Sequence, residues 1–149
     1  MRFSRRIRMV VLACSVTTGG AAVGLAAPAA GHGHAHAHPA EGPHHGTLIE
    51  LGREDYHAEL VHDANTDTVS VYILDGAAVK AVPIPAQQVT LNMRVGGKPR
   101  QFVLAAVRQD GDPEGSTSAF AATGKSICEA IDAPGATGRL NVEIGGKTY

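Results

Sequence analysis

The chain has no tryptophan, and only 4% of its 149 residues are aromatic. Its core must therefore rest on Val, Leu, Ile and Ala rather than on large rings. Cysteine is scarce as well. Cys14 falls in a segment with the layout of a leader, so an exported product keeps Cys128 alone and forms no intramolecular disulfide. Neither sign of charge dominates, the net being −1 with histidine neutral, and no basic patch points to nucleic acid as a partner. No long helical period runs through the sequence. A nucleophile elbow, a phosphate loop and a dinucleotide fingerprint are all missing, and the expectation is a protein that is not an enzyme.

What is present begins with a leader. Arg2, Arg5, Arg6 and Arg8 form a positive start. Met9 to Ala27 is uncharged and mostly apolar, and Ala27-Pro28-Ala29 has the small-x-small pattern of a signal-peptidase site. Ser15, Thr17, Thr18, Gly19 and Gly20 dilute the apolar run, which favours a cleaved signal peptide over 1–29 rather than a permanent anchor. Cys14 resembles a lipobox only faintly, because Arg8 leaves too short an apolar stretch before it. Removal of 1–29 takes away four arginines and no acid, leaving 9 basic against 14 acidic residues, a net of −5. The expected location is the periplasm or the extracellular space, with no stable membrane span after cleavage.

Residues 30–46 contain six of the eight histidines: His32, His34, His36 and His38 in alternation, then His44 and His45 together. Apart from alanine and proline the stretch has nothing apolar to bury, so a flexible His-rich segment is expected. Neutral imidazole is a borderline ligand, suited to Cu, Zn, Ni and Co in their divalent states. Gly33, Ala35 and Ala37 leave room for alternate imidazoles to fold around one ion, and the ordering entropy makes the expected binding loose. A solvated linker is the alternative. It explains the histidines poorly, since Lys or Glu would solubilise better at neutral pH.

From Thr47 the pattern turns to short alternating runs. Thr47–Leu51, Tyr56–Asp63, Thr68–Leu74, Val79–Ile84, the run through Val89 to Val95, Phe102–Val107, Ser118–Ala122 and the run Leu140–Ile144 are predicted strands. Lys125–Ile131 is predicted as a short helix, with Cys128 a buried, inert thiol. Gly96-Gly97 and Gly145-Gly146 follow similar strands, Leu91–Val95 and Leu140–Ile144, and each predicts a two-residue hairpin turn with positive φ. The second return strand stops at Tyr149, which leaves room for a continuation beyond it. These elements predict an all-β fold with minor α, a single antiparallel β-sandwich or small barrel over 47–149, preceded by the His-rich arm.

Three further clusters carry alternative readings. His57 and Glu59 share one face of their strand, and with His44 or His45 they form a partial metal site if the arm folds back; otherwise they are surface residues. His62 falls on the opposite face. Asp63–Asp67 opens like a calcium loop but has Thr68 where glycine is needed and Leu74 where glutamate is needed, so a hairpin turn is expected. Asp110–Glu114 reads as a solvated acidic turn.

Gly42-Pro43-His44-His45-Gly46-Thr47-Leu48-Ile49-Glu50-Leu51-Gly52, then Tyr56, Ala58-Glu59-Leu60 and Val69 to Gly76, resembles an accessory region of heavy-metal efflux periplasmic adaptor proteins. There a Pro-His-Gly-Gly-type turn precedes a β-rich region. The resemblance covers about residues 42–95. It implies an envelope setting, heavy-metal traffic and an envelope efflux or metal-handling protein as partner. The chain departs from the family in having His45 inside the turn and in lacking the long coiled-coil hairpin. Two functions follow: an exported transition-metal-binding protein for capture, buffering or delivery, or an envelope protein-interaction module whose His tract is a linker.

Overall fold

The structure, a computed structural model, describes residues 41–149. The leader over 1–29 and the histidines His32, His34, His36 and His38 lie outside the described residues. Seven strands form one antiparallel sheet: β1 (Thr47–Leu51), β2 (Tyr56–Asp63), β3 (Thr68–Asp75), β4 (Gln88–Val95), β5 (Lys98–Val107), β6 (Ala119–Thr123) and β7 (Thr137–Asn141). Their spatial order is β1-β2-β3-β6-β5-β4-β7, and the sheet curls into a half-barrel with β1 and β7 at its two edges. The all-β expectation holds, in the barrel-like form.

Alternation puts the apolar side chains on the concave face. On the inner face Leu60, Val71, Phe120 and Ala106 stand opposite one another across β2, β3, β6 and β5, and Phe102, Leu91 and Leu140 across β5, β4 and β7. Val71 and Phe120 are fully buried. A concave face lined by medium-sized side chains needs a filler. Helix α1 (Lys125–Asp132) supplies it, placing Ile127, Cys128 and Ala130 in the same core as Val69 and Val71. The helix stops where Ala133 turns extended ahead of Pro134, a residue pair that disfavours helix. Burial raises the Cys128 thiol above its ordinary range, helped by the negative charges of Asp67 and Asp132, and this fits the inert role.

Both Gly-Gly turns are hairpins with positive φ, 55° and 79° at Gly96 and Gly97, 61° and 81° at Gly145 and Gly146. Two expected strands come out differently. Val79–Ile84 is not a regular strand; Leu74↔Ala81 and Ile84↔Thr117 are isolated bridges. Pro83 and Pro85 remove the donors a continuous ladder would need. The run Leu140–Ile144 is divided: β7 ends at Asn141, and β8 (Glu143–Ile144) pairs with β9 (Lys147–Thr148) in a separate two-stranded sheet. Val142, at the division, exchanges backbone hydrogen bonds with Tyr149.

Asp63–Asp67 forms the expected hairpin turn, with the Asp63 carboxylate accepting from Asn65 N and Thr66 Oγ1 at 2.9 Å each. The acidic loop is not wholly solvated. Asp112 is buried, and its carboxylate accepts from Gln109 N, Ser118 N and Ser118 Oγ at 3.0 Å each and from Thr117 Oγ1 at 3.2 Å. It clips the loop onto the start of β6. No helix among the described residues is long and apolar enough to cross a membrane.

Candidate functional site

The site is built on the outer face of the sheet at its β1 edge. Residues 41–46 form a tight hairpin leading into β1. His45 N donates to Gly42 O at 3.0 Å, Gly42 N donates to Gly46 O at 3.1 Å, and Glu41 bridges to Thr47. His45 takes a positive φ of 61°. This is the three-residue hairpin loop whose last position is left-handed, a place that glycine fills most easily. Residues 41–46, assigned to the flexible segment by composition, are thus hydrogen-bonded to one another and to β2.

The bond to β2 runs through Glu59. Its side chain is fully buried. Oε1 accepts from His44 N at 2.7 Å and from Gly46 N at 2.8 Å, while Oε2 meets His44 Nδ1 at 2.7 Å. Three donors thus compensate the burial of one carboxyl group. The glycines are part of the same device. A Cβ at Gly42 would run into the Glu59 carboxyl group, and one at Gly46 would come within 2.5 Å of Leu60 O. The His44 ring lies flat on Tyr72, with centroids 3.7 Å apart and planes 9° apart. Tyr72 is the cross-strand partner of Glu59, so stacking and hydrogen bonding act from adjacent strands.

This fixes the chemistry of His44. A carboxylate only accepts, so Nδ1 holds the hydrogen and Nε2 carries the lone pair in the neutral ring. Imidazole Nδ1–H on a carboxylate is the outer-shell arrangement that orients histidine ligands towards a metal. The His44 side chain is 42% exposed, which leaves the ring accessible from solution.

No known family, characterised protein or solved structure matches the chain.

The other expected site residues are placed as follows. His44 and Glu59 come together, as folding back of the arm requires. His57 shares the outer face with Glu59, and both are buried, so neither is a surface residue. His57 Nδ1 donates to Asp75 O at 3.3 Å, which puts its lone pair on Nε2 as well. Glu50 stands directly opposite His57 on β1. His45 points elsewhere: its ring is 89% exposed and its nearest ionic partner is Glu41, at 3.7 Å. His62 lies on the inner face, with Nδ1 3.2 Å from Asp132 Oδ1 on α1. Among the described residues no three His, Cys, Asp or Glu side chains are grouped to hold a metal ion. What composition and periodicity missed is that Glu59 holds His44. The signal was present in the two glycines, which leave space for a buried side chain.

Proposed function

We propose that the chain is an exported, non-catalytic protein that binds Cu, Zn, Ni or Co ions in the periplasm or outside the cell, for capture, buffering or delivery. The observation that carries this reading is the mounting of His44 on buried Glu59, at the root of a tract with four more alternating histidines. The tract supplies many weak ligands, and His44 adds one whose orientation is already set. Binding to a pre-oriented imidazole avoids part of the ordering cost that a flexible ligand set incurs. The implied recipient is an envelope efflux or metal-handling protein.

Calorimetry of the chain and of its His32/His34/His36/His38→Ala variant tests the reading. The variant is expected to bind fewer Ni(II) ions, and more weakly. Unchanged stoichiometry and affinity would remove the tract from the account and leave the interaction module. Uptake should also weaken below about pH 6, where imidazole becomes protonated and no longer coordinates.

A further inference from the structure

We propose that the gap between β1 and β7 receives an extended segment of a partner protein, about five residues long, which runs antiparallel to both edges and closes the half-barrel as an eighth strand. The proposal goes beyond the metal-binding reading and does not depend on it.

Strand direction carries the argument. Six antiparallel pairings lead from β1 to β7, so the two edge strands run the same way. They cannot complete the antiparallel pattern by pairing with each other. One strand of the opposite direction completes it with both, and eight strands make a barrel whose interior side chains fill. Space for those side chains is present. A cleft of about 480 Å³ is lined by Ile49 and Leu51 of β1 and Leu140 of β7, with Leu60, Leu91 and Met93 below them. Gly138 opens it further. A Cβ there would make ordinary contacts with Leu91 and Met93, at 3.6 and 3.8 Å, and its absence leaves that space to a guest side chain.

Backbone groups decide what the cleft takes. Gly42 N donates to Gly46 O on the side of β1 away from β2. Two and four residues on, Leu48 and Glu50 present their N–H and C=O groups at the same open edge. On the other side Val142 exchanges both its backbone bonds with Tyr149, and Leu140 and Gly138 face the same way. A lipid chain would cover these groups without satisfying them, whereas an extended backbone pairs with all of them.

Tyr149 sets the register, since it already stands antiparallel to Val142 at the head of the gap. Five guest positions below it meet Asn141, Leu140, Arg139, Gly138 and Thr137 in turn. The second and fourth point inward and take apolar side chains, the fourth a large one opposite Gly138. The third points outward beside Arg139, which is exposed and forms no ion pair among the described residues. An acidic residue complements it there. Glu50 on the β1 rim, also without an ion pair among the described residues, favours basic residues at the flanking outward positions. The segment that fits is basic, apolar, acidic, apolar, basic.

NMR on the full chain, titrated with the acetylated pentapeptide amide Lys-Val-Glu-Phe-Lys, tests this. Without peptide the Leu48, Glu50, Gly138 and Leu140 amides should exchange as open-edge amides do. Saturating peptide should slow all four at least about tenfold. Gly138→Pro removes a donor that the sheet itself does not use, and should abolish binding. Arg139→Glu should weaken binding at least about fivefold, and Lys in place of the peptide's Glu should restore it. Slow exchange at the four amides before peptide is added overturns the proposal. If independent of protein concentration it means that the chain fills its own gap, and if dependent on it that a second copy does. Peptide that fails to saturate by about 5 mM, that leaves the four amides fast, or that still binds after Gly138→Pro overturns it as well. Dodecanoate binding in the cleft where the peptide does not bind would make it a lipid site instead.

Discussion

Glu59 shows how much one buried side chain can organise. It closes a turn, orients an imidazole and satisfies two backbone N–H groups, all within an apolar sheet. Its replacement by alanine leaves those N–H groups without an acceptor and opens a cavity, and should cost about 3 kcal/mol. Glu59→Gln retains one acceptor oxygen for the paired N–H groups and should cost about 1 kcal/mol. Urea denaturation midpoints check both, and equal losses would show that the hydrogen bonds contribute little. His45 gives the opposite sign. It holds φ at 61° with an exposed ring, so His45→Gly should stabilise the fold by up to about 1 kcal/mol. At this scale the sequence was only partly legible. Alternation showed that His57 and Glu59 share a face. It could not show that the face is covered, because burial there comes from a turn whose glycines resemble linker residues.

Single elements were easier to read where alternation ran undisturbed, as in Tyr56–Asp63 and Gln88–Val95, and at the two Gly-Gly turns. They were misread where a tertiary contact decided the outcome. Apolar alternation through Leu140, Val142 and Ile144 predicts one strand. The chain leaves the large sheet at Val142, which exchanges its backbone hydrogen bonds with Tyr149 instead. The acidic loop is the clearest case of composition misleading, since Asp112 in a polar, glycine-rich segment is the residue that fastens it. Burial pushes the Asp112 carboxyl up, but the N–H groups of Ser118 and Gln109 and the hydroxyls of Ser118 and Thr117 pull it further down, below the ordinary 3.8. The folded state therefore binds fewer protons than the unfolded one in acid. The resulting stabilisation is complete above 3.8 and is lost as pH falls through the lower, folded value. Asp112→Asn should cost about 2 kcal/mol at neutral pH and flatten the loss of stability in acid. Thermal denaturation from pH 7 down to pH 2 measures both effects.

Across residues 41–149 the half-barrel and its helix share one core. Ile127 and Cys128 of α1, Ile144 of β8 and the inner-face residues of the large sheet belong to a single buried cluster. The two-stranded sheet is also tied back at its surface, where Lys147 Nζ and Tyr149 Oη donate to Asp55 Oδ2 at 2.7 and 3.2 Å. A shared core with no covalent staple should unfold as a unit. Cys128 reports on this directly, because a buried thiol held protonated reacts with thiol reagents only when the core opens. In a Cys14→Ser background, Cys128 labelling and the far-ultraviolet strand signal should follow the same denaturant curve. Phe120→Ala, at the fully buried centre of the sheet, should shift both curves together by about 3–5 kcal/mol. Such a loss consumes much of the roughly 5–15 kcal/mol that a domain of this kind has. Labelling that precedes loss of the strand signal would mean that α1 opens independently, and the sheet would then have to be stable without the helix that fills it.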